Sequence, residues 1–543
     1  MFESMRERWM QTALDLEPRL KISRFVPTAV VKPVHDDSVH HHWSTETIRS
    51  LADRQPIRLL PGHSVVIDFG VHTVGKIQMN VSRVGPTQEG KLSLRFGEIP
   101  AEVGPDVANK TGKLGGEWLE PVVLQITANQ ELRYDTRRAW RYLRIDLHDD
   151  SSPITIQDLC AMEQSSVGLL DEVPACEQDS ELLRQMDLVS LRTLRNCMQG
   201  VFEDGPKRDR RLWLGDLRLQ ALTNYVSFRN NDLVKRCLYL FAACAYEDGL
   251  VPACVYERPK WHGGTEFIPD YALLFGPTLL DYLIASDDIA TAKDLWPVAL
   301  RQTEILDRWV DDRGVFVDPG KVWLFIDWHA DLDRQTAIQG TACYALLKLI
   351  ELGRLVGAEA SILQNLEQRR QQMIAATQKY LWAPTQGLAV SGKDRQLSWA
   401  SHIWLTLGQA ITTEQARSGF AVLESNPKAL RPVTPYLYHH QLEAMAQCGM
   451  VREARVLMEN YWGGMIRLGA TTFWEVYDPA QPMLSPYDSI LHNSYCHAWS
   501  CTPAWFIRTG MLDGNLPDVL PVETVPRVVP RLSESIPASV SVK

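Results

Sequence analysis

The chain has 543 residues, 45% of them hydrophobic and 22% charged, which is enough apolar material for two or three domains and excludes a disordered chain. A formal net charge of −10 with no basic run excludes a nucleic-acid partner, whose phosphates need a basic face. No apolar stretch of about 18 residues is present, and Met1-Phe2-Glu3-Ser4-Met5-Arg6 opens no signal-like segment, so no membrane association is expected and the expected location is cytoplasmic. The 10 cysteines include no CxxC pair and sit mostly in apolar helical pattern, as reduced core thiols do.

Residues 1–55 read as an N-terminal extension with an extended segment at 25–31 and a histidine tract, His40-His41-His42, near His35. Neither a Cys nor a carboxylate arrives at metal-ligand spacing, so the tract is expected to be a solvated loop with no metal. From residue 57 the period becomes two, at 64–70, 75–81, 91–96, 122–126 and 142–147, which predicts an antiparallel β-sandwich over 56–170. It is expected to be structural or to touch carbohydrate.

Beyond residue 170 helical pattern takes over, at 182–198, 217–228, 234–246, 271–285, 289–310, 336–356, 358–381, 398–407, 414–423, 435–448, 452–466 and 489–507. These are about twelve amphipathic helices with mixed loop lengths and no fixed repeat, which suits hairpins in a ring better than a solenoid. The fold class is therefore mainly α: an (α/α)6 barrel of six helical hairpins over 171–510 behind the sandwich. Five prolines in 511–543 predict an extended Pro-rich C-terminal tail.

The loops that such a ring gathers at one end are rich in Trp and acids: 203–216, 261–264, 325–329 and 472–475. The first packs Glu203, Asp204, Lys207, Arg208, Asp209, Arg210, Arg211, Trp213 and Asp216 around the helix-breaking Gly205-Pro206. Asp and Arg side by side suit polyhydroxylated ligands, because each takes bidentate hydrogen bonds. Read blandly, the same charges are a solvated ion-pair loop.

Asp204-x-Pro206-x-Arg208-Asp209-Arg210, followed by Trp213-x-Gly215-Asp216, resembles the signature of the glycoside hydrolase family 78 α-L-rhamnosidases. Gly469-Ala470-Thr471-Thr472-Phe473-Trp474-Glu475 resembles a second element of that family, and His497 follows in a Ser494-Tyr495-Cys496-His497 context. The resemblance covers roughly 57–508 and marks a short member without the family's large accessory β-domains. It implies the same barrel and release of terminal α-L-rhamnose, from flavonoid rhamnosides or oligosaccharides, by an inverting acid/base mechanism with no cofactor. Asp209 falls at the general acid, where many members carry Glu, and Glu475 at the general base. Asp204 and Asp216 fall on family carboxylates that bind rhamnose hydroxyls, and Arg208 adds a fixed positive fork that can hold a hydroxyl and keep neighbouring acids ionised. Trp213, Trp328 and Trp474 offer faces to a deoxy sugar. Asp327 and His497 are further contacts, His497 as a hydroxyl or base-orienting partner.

Two alternatives stand beside this: another (α/α)6 carbohydrate enzyme, such as an unsaturated uronyl hydrolase or a lyase, and a non-catalytic sugar-binding helical ring. A homodimer is expected, because a short member leaves barrel and sandwich surface uncovered.

Overall fold

A computed structural model describes residues 2–83, 90–104, 112–127, 129–149, 151–318 and 320–513. The expected Pro-rich tail lies outside the described residues beyond Asp513.

Nine strands form the N-terminal unit: β1 Lys21–Phe25, β2 Ala29–His35, β3 Trp43–Ser50, β4 Ile57–Leu59, β5 Ser64–Arg83, β6 Gly90–Gly97, β7 Val122–Ile126, β8 Gln130–Leu147 and β9 Ile154–Ser165. Hydrogen bonds join them into one antiparallel sheet in the order β1-β9-β5-β8-β6-β7, with β2 on β3 and β5, and β4 on β9. The first part of β5 pairs with β2 and its second part with β9, while β8 follows both parts across register breaks after Asp68 and Gly75. Such breaks bend a strand and let it change neighbours. The N-terminal unit is thus an antiparallel sheet domain whose hydrogen bonding runs through all nine strands. Period-two apolar positions, Leu92, Leu94 and Phe96 with Leu143, Ile145 and Leu147, meet in a single buried cluster.

The helical unit starts at Glu181–Cys197 and ends at Pro503–Thr509. Ser180, Asn230, Asp288, Ser398, Thr412 and Thr434 each cap a helix by accepting a first-turn N–H, a contact worth about 1 kcal/mol apiece. Helix Leu214–Tyr225 packs on Phe275–Ser286, that on Gln335–Val356, and that on Trp399–Leu407. Trp399–Leu407 packs on Pro435–Gln447, and the turn Ala498–Ser500 closes the circuit back onto Leu214–Tyr225. Gly340 permits one of these contacts, since a Cβ there would strike the backbone of Trp404 and Leu405. All ten cysteines are free thiols.

Three expectations are corrected. Residues 1–55 are no loose extension: helix Glu3–Asp15 packs on Asn231–Ala243 with Trp9 fully buried in the helical core, and β1 to β3 belong to the sheet. The histidine tract is not a solvated loop. His40 stacks on Trp474 at 5.6 Å between ring centroids and His41 lies 5.0 Å from the same ring. The helix expected at 489–507 is two short turns, Ile490–His492 and Ala498–Ser500, joined by extended chain, before a helix that begins only at Pro503.

Candidate active site

Residues 203–211 leave the helix that ends at Cys197 and enter the short strand Leu212–Trp213, which pairs with Cys254–Tyr256 and through it with His262–Gly263. The loop is buried from Val201 to Arg208, and its charges have assigned partners. Arg137 of β8 donates to Glu203 at 2.7 Å, and Arg211 N–H donates to Asp204 at 3.0 Å. Lys207 reaches into the sheet unit, donating to Glu102 at 2.5 Å and to the Asn493 carbonyl at 2.6 Å, with Glu98 at 3.1 Å. Asp209 and Arg210 then take left-handed backbone, φ 58° and 56°, which turns the Asp209 side chain outward to 29% exposure. Asp tolerates that region better than Glu does, a physical reason for the shorter acid here.

The 469–475 segment is fastened by threonine hydroxyls, two of its own and one from helix Glu181–Cys197. Thr472 donates to the Tyr495 carbonyl, Thr471 accepts the His72 N–H of the sheet, and Phe473 N–H donates to Thr193. Glu475 exchanges two bonds with Ser494: its N–H donates to the Ser494 carbonyl, and its Oε2 accepts the Ser494 N–H. Arg208 Nη2 donates to the same Oε2 at 2.6 Å while Nη1 lies 3.4 Å from Asp209. One guanidinium therefore stands between the two carboxylates expected to be acid and base.

Burial raises the carboxyls of Asp204 and Asp216 well above their ordinary range. For Asp204, its neighbours Asp209 and Asp216 add to the effect; for Asp216, Glu475 does. Burial works the same way on Glu475, but Arg208 and the hydrogen bonds from Tyr487 and Ser494 outweigh it and hold this carboxyl below its ordinary value. One buried carboxyl, Glu475, is kept ionised as a base must be, while Asp204 and Asp216 beside it are pushed toward the neutral form, in which they can donate as well as accept hydrogen bonds. Burial likewise lowers His497 to about 4, so the ring is neutral at physiological pH. It lies with Nδ1 3.5 Å from Asp216 and Nε2 4.0 Å from Asp204.

Asp204, Arg208, Asp209, Asp216, Glu475 and His497 are thus brought together. The tryptophans divide. Trp328 meets Tyr487 edge-on, and partly buried Trp213 meets Tyr271. Trp474 is 5% exposed, packed among His40, His41 and Tyr495 behind Glu475. Asp327, expected against the sugar, points elsewhere: its carboxylate accepts from Val433 N–H, Thr434 N–H and the Thr434 hydroxyl, clamping its loop to the start of helix Pro435–Gln447. Sequence reasoning gave no role to Tyr487, Ser494 or Lys207. Tyr487 follows no motif and Ser494 acts through its backbone. Lys207 fills an unspecified position of the Asp-x-Pro-x-Arg pattern, where burial alone reveals its part.

Among the described residues, one group has donors close enough for an ion: His439, His440 and Glu443, within 4.8 Å of one another. Both terminal nitrogens of Arg218 already bind the Glu443 carboxylate and Nε binds Asp281, so the group is a buried ion-pair cluster.

A sheet unit locked onto a helical circuit, with carboxylates from two distant segments across one arginine, defines a six-hairpin type of glycosidase. Residues 27–159 match the glycosyl hydrolase family 78 alpha-rhamnosidase N-terminal domain. Residues 172–510 match the bacterial alpha-L-rhamnosidase 6 hairpin glycosidase domain, and the chain belongs to that family of α-L-rhamnosidases. It is similar to a rhamnosidase from Klebsiella oxytoca solved with rhamnose bound, at 42% identity and TM-score 0.89 over 92% of this chain and 98% of that one. The rhamnosidase of Bacillus sp. GL1 shares 21% identity and a TM-score of 0.73 over 86% of this chain and 49% of its own. An α-L-rhamnosidase from Streptomyces avermitilis complexed with L-rhamnose shares 16% identity and a TM-score of 0.64 over 90% of this chain and 44% of its own. These last two likenesses are of fold. No curated protein matches the chain.

Proposed function

We propose that the chain hydrolyses terminal α-L-rhamnosides with inversion, Asp209 protonating the leaving oxygen and Glu475 activating water, on an (α/α)6 barrel. One observation carries the sugar site: Asp216 Oδ1 and His497 Nδ1, 3.5 Å apart, and Trp328 Nε1 are buried polar atoms with no hydrogen-bond partner among the described residues. Such atoms are costly unless a ligand satisfies them, and a sugar presents hydroxyls that both donate and accept. The rhamnose bound in the Klebsiella oxytoca relative gives the hydroxyls their identity. The closed circuit of helix contacts supports the barrel. Arg208 contacts both carboxylates, Asp209 at 3.4 Å and Glu475 at 2.6 Å, so the two come from separate segments to one place, as an acid/base pair flanking a glycosidic bond must.

Turnover of p-nitrophenyl α-L-rhamnoside, with the α-L-arabinopyranoside and β-glucuronide as comparisons, tests this reading. NMR should detect β-L-rhamnose first. Preference for the glucuronide would favour the uronyl-hydrolase alternative, and no turnover at all a sugar-binding ring. Small glycosides, flavonoid rhamnosides or oligosaccharides, are the substrates this reading assigns. Among the described residues no helix is long and apolar enough to cross a membrane. A homodimer belongs to the same proposal, because a short family member leaves sheet and helical surface uncovered. Sedimentation at micromolar concentration should show twice the 61.6 kDa chain mass, and a monomer alone would refute it.

Asp209→Glu should retain at least about a tenth of kcat. The extra methylene moves the carboxyl by about 1.5 Å, and contacts of 3.4 Å to Arg208 and 3.8 Å to Arg211 leave slack for it. Left-handed backbone is less welcome to Glu, so a lower melting temperature is expected alongside. Activity as low as that of Asp209→Asn would mean that the loop is tailored to Asp.

A further inference from the structure

Glu475 is held from both sides. Oε2 takes Arg208 and the Ser494 N–H, while Oε1 accepts the Tyr487 hydroxyl at 2.5 Å. Tyr487 stands on the loop between the 469–475 segment and the turn Ile490–His492, and three separate parts of the molecule fix it. Its ring lies 4.3 Å from the Arg208 guanidinium, and its edge meets Trp328 at 5.7 Å. Its carbonyl accepts the Lys113 N–H of the sheet unit at 2.9 Å, and Lys113 Nζ donates to the neighbouring Pro486 carbonyl at 3.2 Å. Within the loop, Ser485 accepts the Tyr487 N–H. Burial and the Glu475 charge raise the phenol well above its ordinary value, so it keeps its proton and donates.

We propose that Tyr487 is the positioning residue of the general base: its hydroxyl fixes the orientation of the Glu475 carboxylate and favours its ionised form. The inference rests on Glu475 being that base. A carboxylate held only through Oε2 could pivot about the Arg208 contact, and the second donor removes that freedom. Water activation needs one lone pair of Oε1 aimed at the water, and misplacement by about 1 Å costs on the order of 10²-fold. Among the described residues the Tyr487 hydroxyl is the hydrogen-bond donor to Oε1, and a carboxylate oxygen has a second lone pair for the water. The charged and titratable groups facing Glu475 are Arg208 and Asp216 from the 203–216 segment, Tyr487, and His497 and Tyr495 from the following strap. Arg208 keeps its charge at every working pH, and His497 is neutral above about 4. Tyr487 is therefore the neutral donor whose removal shifts the base without changing the net charge of the site.

The sign follows from the donor. A hydrogen bond to the ionised form lowers a carboxyl pKa, so losing it raises the Glu475 pKa. The base works ionised, so the acid limb of kcat/KM moves to higher pH. Tyr487→Phe keeps the ring beneath Arg208 and against Trp328 and removes only the oxygen. It is to be assayed on p-nitrophenyl α-L-rhamnoside between pH 4 and 9, beside wild type and Glu475→Gln. The expected result is a kcat lower by about tenfold with KM within about threefold, as suits a group that orients a base without touching substrate. The acid limb should rise by about half a pH unit or more, with inhibition by L-rhamnose unchanged. Tyr487→Met, which fills similar space without a hydroxyl, gives the same reading should the phenylalanine form not fold. An acid limb that stays in place overturns the proposal, as does a KM increase with kcat preserved, which would make Tyr487 a sugar contact. If Glu475→Gln is as active as wild type, the base assignment fails and this inference falls with it.

Discussion

Glu475→Gln is expected to lower kcat by at least ~10²-fold and up to ~10⁴-fold, with little change in KM, because general base assistance is worth about that much. The substitution also disturbs what holds the side chain. One carboxylate oxygen becomes an amide donor, facing either Arg208 and the Ser494 N–H or the Tyr487 hydroxyl, all of which donate. Asp209→Asn should lose a comparable factor on a rhamnoside with a poor leaving group and much less on the p-nitrophenyl substrate, since p-nitrophenolate departs with little protonation. The ratio between substrates distinguishes the roles: a lost base slows both substrates alike, whereas a lost acid slows the one whose oxygen needs the proton. Steady-state rates for two variants on two substrates are sufficient. Near-normal turnover in either variant on a poor leaving group would remove its residue from the assignment, as would equal losses of Asp209→Asn on both substrates.

Why some of this was legible in sequence and some not is visible in particular residues. Period-two runs such as Leu92, Leu94 and Phe96 announce strands because one face of the sheet is buried, and the local pattern carries the whole signal. The 203–216 loop was legible because charged side chains crowd around the helix break at Gly205-Pro206, and 469–475 because its Gly-Ala-Thr-Thr-x-Trp-Glu order resembles a family element. Residues 489–507 were misread for a related reason. Ile490, Leu491, Tyr495 and Trp499 sit near helical spacing, but the backbone there bonds to other segments: Ala498 N–H to the Asp204 carbonyl, and His497 N–H to the Phe473 carbonyl. A strap of that kind is specified by its neighbours, and no local periodicity reports it. Helix Glu3–Asp15 escaped because it buries only Trp9 and Ala13 among charged residues, too narrow a stripe to register before its groove against Asn231–Ala243 is known. Tyr487 and Lys207 act at long range, on Glu475 in another loop and on Glu98 and Glu102 in another structural unit.

Lys207 carries the second large effect. Its ammonium is buried with Glu98 and Glu102, all nearly inaccessible, and Glu98 is also bonded to His72 at 2.9 Å and to the Tyr495 N–H at 2.7 Å. Glu98, Glu102, Lys207 and His72 close a buried cluster that fastens the loop bearing Arg208 and Asp209 to the sheet. Removing one cation strands a buried carboxylate, so Lys207→Met should cost about 3–5 kcal/mol of stability, read from chemical denaturation. Loss of activity should accompany it, because Arg208 is the next residue. The pH dependence follows from Glu102, whose carboxyl is raised to about 7 by burial, with Glu98 adding to the rise and Lys207 opposing it. Between its ordinary value of 4.5 and about 7 the folded chain holds a proton that the unfolded chain has released, so this group makes stability fall as pH rises through that window. Glu102→Gln stays neutral throughout and should flatten the fall in melting temperature over that range. In the double variant Lys207→Met/Glu102→Gln, neither the ammonium nor the second carboxylate remains, so part of the single variant's loss should return. A Lys207→Met protein that unfolds at the wild-type denaturant concentration would show that the cluster does not hold the two units together, and a Glu102→Gln profile parallel to wild type would place the titrating group elsewhere.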